Sequence, residues 1–178
     1  MKVIFLDIDG VLNTKETYAS IKKTQGSIGF FDIAIDLFRL GYLKEIIDQT
    51  DAKIVLSSSC RKLFIKESGK IVPASLKSRN LYNLFYKHGI EIFDITPENL
   101  PSREEEIKVW LSNNDDVEEF VIIDDDPTVF DELYSKLIQT SKVKKDYALL
   151  SFLKESFGLC ERHIPEIVDR LGGKKKAK

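Results

Sequence analysis

Carboxylates recur in this sequence where short apolar runs stop. Asp7 and Asp9 follow the run Val3–Leu6, and Asp124, Asp125 and Asp126 follow the run Phe120–Ile123. In an extended chain, residues two apart project from the same side, so Asp7 and Asp9 share a face while Ile8 turns away. Gly10 then lets the chain leave the strand sharply. Several carboxylates brought to one point repel one another, and a hard divalent cation relieves that repulsion. Oxygen ligands with no nearby His or Cys suit Mg²⁺ better than zinc. A third apolar run, Ile54–Leu56, ends in hydroxyls at Ser57, Ser58 and Ser59.

These residues converge only if the runs before them lie side by side. The runs are continuous rather than alternating and rich in β-branched residues, as in strands covered on both faces of a parallel sheet. Helical spacing fills the intervals. Leu37, Leu40, Leu43, Ile46 and Ile47 predict a helix over 31–49, and further helices are expected over 76–87 and 103–111. Ile164, Ile167, Val168 and Leu171 mark a last one, stopped by Gly172 and Gly173. Strands alternating with helices define an α/β fold with a mostly parallel sheet. In such sheets ligands bind beyond the carboxyl ends of the strands, which gathers the acids and serines on one rim. The stretch 13–29 reads as a loop or flap, and 97–101 as a turn-rich link. One domain over 1–173 is expected, followed by a solvated, disordered Lys-rich tail at 174–178.

The chain has 178 residues, 27 of them Lys or Arg and 29 Asp or Glu, for a formal net charge of −2. Four of the lysines are in the tail, so the body carries a surplus of six negative charges and is not a basic nucleic-acid-binding body. No apolar run is long enough to span a bilayer. Val3–Leu6 is also too short for the apolar region of a secretory signal. Cys60 and Cys160 lie a hundred residues apart with no metal-ligand spacing, and read as reduced thiols in a cytoplasmic setting. His88 and His163 are isolated, and read as surface or capping residues.

Asp7-Ile8-Asp9-Gly10-Val11-Leu12 resembles the first motif of the haloacid dehalogenase (HAD) superfamily of phosphatases and phosphotransferases. Three more motifs of that superfamily follow in order: the serines ending the strand Ile54–Ser58, a basic residue opening a helix at Arg103, and the acids Asp124 and Asp125 after an apolar strand. The strings FLDIDGVLN, IVLSSSCR, SREEEIKVWL and VIIDDDP are similar to small HAD-like proteins related to the phosphatase domains of RNA-repair enzymes. The likeness covers roughly residues 2 to 127. It implies a Rossmann-like three-layer sandwich with a minimal cap or none.

The resemblance also implies roles. Asp7 is the expected nucleophile, forming an aspartyl-phosphate, and Asp9 the general acid and base. Mg²⁺ is expected on Asp7, the backbone carbonyl of Asp9 and Asp124, with Asp125 ligating through water or orienting the shell, and the ion lets one anion attack another. Ser57 or Ser58 is expected to hydrogen-bond the phosphoryl group, with Ser59 capping the next turn. Arg103 and Lys108 both have the spacing of the cation. A helix leading into a parallel strand starts on the rim where that strand ends, which favours Arg103. Arg61 and Lys77 are further cations within reach of the rim. Asp126 and Asp131 are expected beside the site or at helix starts, and Trp110 in the core.

Between Asn13 and the helix near Phe31 there is too little chain for a separate cap domain. In the superfamily that the chain resembles, an uncapped, open site goes with a bulky phosphorylated substrate, so the resemblance implies a nucleic-acid end, a nucleotide or a phosphoprotein, or closure by an oligomer. Phosphoryl transfer to an acceptor other than water, and a non-catalytic binding module on the same scaffold, are the competing readings.

Overall fold

Val3 and Phe5 face one side of the first strand, β1 (Lys2–Leu6), and Ile4 and Leu6 the other, and all four are fully buried. Apolarity without alternation therefore does reflect a strand covered on both faces. The computed structural model of the protein describes residues 1–25, 33–142 and 157–173. The strand β1 is paired in parallel with β2 (Lys53–Leu56) on one side and β6 (Glu119–Asp124) on the other. Outside these lie β5 (Ile92–Ile95) and β7 (Leu137–Gln139), also parallel, giving the order β5-β2-β1-β6-β7.

Helices cover both faces. On one side α2 (Leu37–Thr50), α3 (Leu76–Lys87) and α5 (Ile164–Arg170) bury Leu40, Leu43, Phe85, Ile167 and Val168 against Ile4, Leu6, Ile54 and Val121. On the other, α4 (Arg103–Ser112) packs Ile107 and Trp110 against Val3, Phe5, Val55 and Ile122. Trp110 and Phe5 meet edge to face, ring centroids 5.3 Å apart. Burying one such large side chain contributes about 2 kcal/mol. The result is the expected α/β three-layer sandwich.

Several expectations need correction. Part of the segment read as a loop, 13–29, is a helix, α1 (Lys15–Gln25). It lacks apolar periodicity because it rests on its amino end. There Thr14 N donates to Thr17 Oγ1 at 3.1 Å, and Thr17 N to Thr14 Oγ1 at 3.4 Å, the reciprocal arrangement of a capping box. The helix expected from Phe31 begins at Leu37, because Asp36 caps it through Phe38 N and Arg39 N. The long interval after β2 holds an antiparallel hairpin, β3 (Phe64–Glu67) and β4 (Lys70–Pro73), as well as α3 and β5. The edge strand β7 has three residues, too few to show a pattern. Residues 26–29 of the flap and the Lys-rich tail lie outside the described residues. Among the described residues, no helix is long and apolar enough to cross a membrane.

Candidate active site

From β1 the chain moves outward through β2 to β5, then returns along α4 to pair β6 against the other edge of β1. Its direction of winding thus reverses at β1, and a crevice opens beyond the carboxyl ends of β1 and its neighbours. Parallel bonding runs on past the strand ends: Asp7 N donates to Ile123 O at 3.0 Å and Ser57 N to Leu6 O at 3.0 Å. Backbone pairing therefore sets Asp7, Ser57 and Asp124 side by side.

One carboxylate oxygen from each of Asp7, Asp124 and Asp125 lies within 4.8 Å of the others, and all three residues are buried. Arg103, the first residue of α4, reaches them. Its Nη1 is 3.1 Å from Asp7 Oδ2 and also pairs with Asp124 Oδ2. Asp124 Oδ1 accepts a 2.8 Å bond from Asp126 N. Burial, and then repulsion from Asp7, push the Asp124 carboxyl up to about 7. Burial works against the charge on Arg103, yet Asp7 and Asp124 outweigh it and hold the guanidinium more firmly protonated than usual. Lys108, the rival cation, pairs instead with Glu105 and Glu132.

Asp9 is exposed and held apart from this cluster. Its Oδ1 accepts from Asn13 Nδ2 at 2.9 Å and from the Tyr18 hydroxyl at 3.3 Å. Burial, and then the charge on Asp9, push the Tyr18 phenol up to about 12, so it stays a donor. Asn13 Nδ2 also donates to Ala34 O, and Asn13 Oδ1 accepts from Gly10 N at 3.1 Å. Gly10 itself has φ +77°, and a Cβ there would run into the Asp125 carboxyl. The glycine is needed both for its backbone and for its missing side chain.

The three serines divide their roles. Ser57 is fully buried, and its Oγ has no hydrogen-bond partner among the described residues. Ser58, not Ser59, caps the next turn, through a 3.4 Å bond from Cys60 N. Ser59 lies on the wall of the cleft. Arg61 is buried in the turn after Ser58 and ion-paired with Glu106 of α4, and Lys77 does not line the cleft. Asp126 caps a short turn by accepting from Thr128 N and Oγ1, and Asp131 N donates to Glu104. His88 closes α3, and His163 accepts from Cys160 N at 3.1 Å. Trp110 is in the core, its Nε1 bonded to Asp94.

Asn13, Tyr18, Arg61's partner Glu106 and the Thr140 hydroxyl bonded to Gly10 O are the contributors that sequence reasoning passed over. Asn13 lies four residues after Asp9, and that spacing was the available signal. Nothing in the sequence announces Glu106 or Thr140, whose partners are 45 and 130 residues away.

Asp7, Asp9, Asn13, Glu106 and Asp125 line an open cleft of 580 Å³, with Lys15 and Tyr18 of α1 on one wall and Leu100 to Arg103 on another. Three buried carboxylates converge beside the Arg103 guanidinium, and all their donor atoms are oxygen. That set fits a hard divalent cation. Fold and site together define an α/β domain of the HAD type. The chain belongs to the family described as the HAD domain in Swiss Army Knife RNA repair proteins, whose model matches residues 3–144. No curated protein and no solved structure matches it. Membership supports phosphoesterase-type chemistry in general.

Proposed function

We propose that this HAD-like protein is a Mg²⁺-dependent phosphomonoester hydrolase that works through an aspartyl-phosphate on Asp7. The observation that carries this reading is the pairing of Arg103 with both Asp7 and Asp124 on the sheet rim, while Asp9 is oriented separately. The first set is suited to an anionic group and a cation, the second to a proton.

Asp7, Asp124, Asp125 and the backbone carbonyl of Asp9 would hold the Mg²⁺. When bound, the ion neutralises charge on the phosphoryl oxygens and on Asp7. Arg103 exchanges its carboxylate partners for the phosphate, and the Ser57 or Ser58 hydroxyl donates to another phosphate oxygen. A carboxylate oxygen of Asp7 then bonds to phosphorus as the ester P–O bond breaks. The leaving oxygen takes its proton from Asp9 Oδ2, since Asn13 and Tyr18 engage Oδ1. In the second half, Asp9 removes a proton from water. The hydroxide displaces Asp7 and releases inorganic phosphate.

The substrate we favour is a phosphorylated RNA end, on the strength of the family and of a cleft open enough for a chain. The exposed lysines Lys15 and Lys62 border it, where they would meet neighbouring phosphates. Two free thiols, Cys60 and Cys160, fit a cytoplasmic setting.

The test is hydrolysis of an aryl phosphate by the Asp7→Asn variant, followed by a panel of 3′- and 5′-phosphorylated RNA, nucleotides, sugar phosphates and phosphopeptides. Loss of turnover with the fold intact is expected. Unchanged turnover in Asp7→Asn sinks the assignment. A wild-type protein that binds phosphate without hydrolysis identifies the binding module instead.

A further inference from the structure

Arg61 has a place in the site that its charge alone does not explain. The residue is 4 % exposed, and its side chain folds back over the turn that carries it. Nη1 donates to Ser58 O at 3.0 Å and to Ser57 O at 3.3 Å. Nη2 donates to Pro97 O at 3.3 Å and pairs with Glu106, whose own residue is 7 % exposed. Glu106 stands three residues after Arg103 on α4, one turn down the helix. A single planar guanidinium thus clamps three segments: the turn after β2, the loop after β5 and the start of α4.

We infer that Arg61, with Glu106, is a positioning pair that sets the Ser57–Ser58 turn against the helix start bearing Arg103. This rests on the reading that the serine hydroxyl and Arg103 bind the transferring phosphoryl group. Those two groups come from distant parts of the chain, and the described sheet bonding registers Ser57 but not Arg103. Arg61 supplies a link between them that is independent of the pairs Arg103 makes with Asp7 and Asp124. Its fork has the geometry to reach two carbonyls and a carboxylate at once, which a lysine ammonium on a flexible stem does not reproduce.

The pair also looks poor as a device for stability. Arg61 Nε is buried without a hydrogen-bond partner, and buried ion pairs are often replaceable by apolar residues at no loss of stability. Geometry gives it a purpose, since displacing a binding group by a fraction of an ångström costs the transition state more than the bound substrate.

The experiment compares wild type, Arg61→Lys, Glu106→Gln and the double variant Arg61→Met/Glu106→Met on para-nitrophenyl phosphate with Mg²⁺, each with a melting curve. Thr50→Val, at the opposite end of the sheet, serves as a folded reference. The double variant is expected to melt close to wild type yet lose roughly tenfold to a hundredfold in kcat, with KM within about threefold. Arg61→Lys and Glu106→Gln are expected to show the same split to a smaller extent, and they decide the matter if the double variant does not fold. Folded variants with wild-type kcat overturn the positioning role and leave the phosphatase reading standing. A wild-type protein without turnover removes that reading, and this inference with it.

Discussion

Arg103 Nη1 stands 3.1 Å from Asp7 Oδ2 and through the same nitrogen pairs with Asp124, so one guanidinium joins the ends of β1 and β6. Without it, the buried carboxylates of Asp7 and Asp124 lose the guanidinium they share. Arg103→Ala is therefore expected to cost about 3 kcal/mol in metal-free protein at pH 8, read from urea unfolding. It should also reduce kcat/KM by roughly a hundredfold. Arg103→Lys should recover stability better than activity, since a point charge does not match a phosphate as a fork does. A loss of stability below about 0.5 kcal/mol, the range of an ordinary surface substitution, would show that the ion pair is incidental.

Metal binding carries its own pH signature. The Asp124 carboxyl is pushed up to about 7 by burial and by Asp7, and a cation requires it ionised. Mg²⁺ affinity should thus be nearly level above pH 8 and fall as pH drops through 7, on the order of tenfold per unit below that point. Isothermal titration at pH 6 and pH 8 reads the difference directly. The Mg²⁺-induced rise in melting temperature should vanish in Asp124→Asn. A pH-independent affinity would exclude this carboxylate as a ligand.

Gly10 offers a purely structural test. At φ +77°, with the Asp125 carboxyl where a Cβ would go, Gly10→Ala strains the backbone and displaces a cluster carboxylate together. About 1–2 kcal/mol of destabilisation is expected from the backbone alone. Weakened Mg²⁺ binding should accompany it, as measured by the thermal shift. A variant that melts and binds like wild type would mean the turn relaxes freely.

His163 should make the fold sensitive to mild acid. Burial, ahead of the charge on Arg162, lowers its pKa below 6.5, and its Nδ1 accepts from Cys160 N. The unfolded chain therefore binds the proton more readily. Its contribution is present above pH 6.5 and is lost as pH falls through the lower folded value. The melting temperature of the wild type should drop between pH 7 and pH 5 more than that of His163→Asn. Parallel curves for the two proteins would contradict this.

The strand ends are legible in the sequence because a covered parallel strand leaves a continuous apolar run. Asp7, Ser57 and Asp124 follow those runs directly, so locating the runs located them. Helix direction likewise puts Arg103 on the rim and Lys108 farther down α4, where Lys108 meets Glu105 and Glu132. Helix α1 escaped notice for the opposite reason. Among its described residues only Thr17 is buried, so it has no apolar stripe to read.

The assignment of Ser58 as cap rather than Ser59 shows the limit of local reasoning. Three consecutive serines have the same propensities, and the choice among them depends on where the backbone turns after β2. The clamp of Arg61 on Glu106, and the Tyr18 and Asn13 bonds to Asp9, were equally out of reach. The chain order of residues carries the fold class, the acidic rim and the order of the motifs, because apolar periodicity and strand-end chemistry are local properties. Which hydroxyl is left free, which arginine meets the cluster carboxylates and which is locked away follow from packing between distant segments. Such contacts are set by the relative placement of sheet and helices, and no spacing along the chain encodes them.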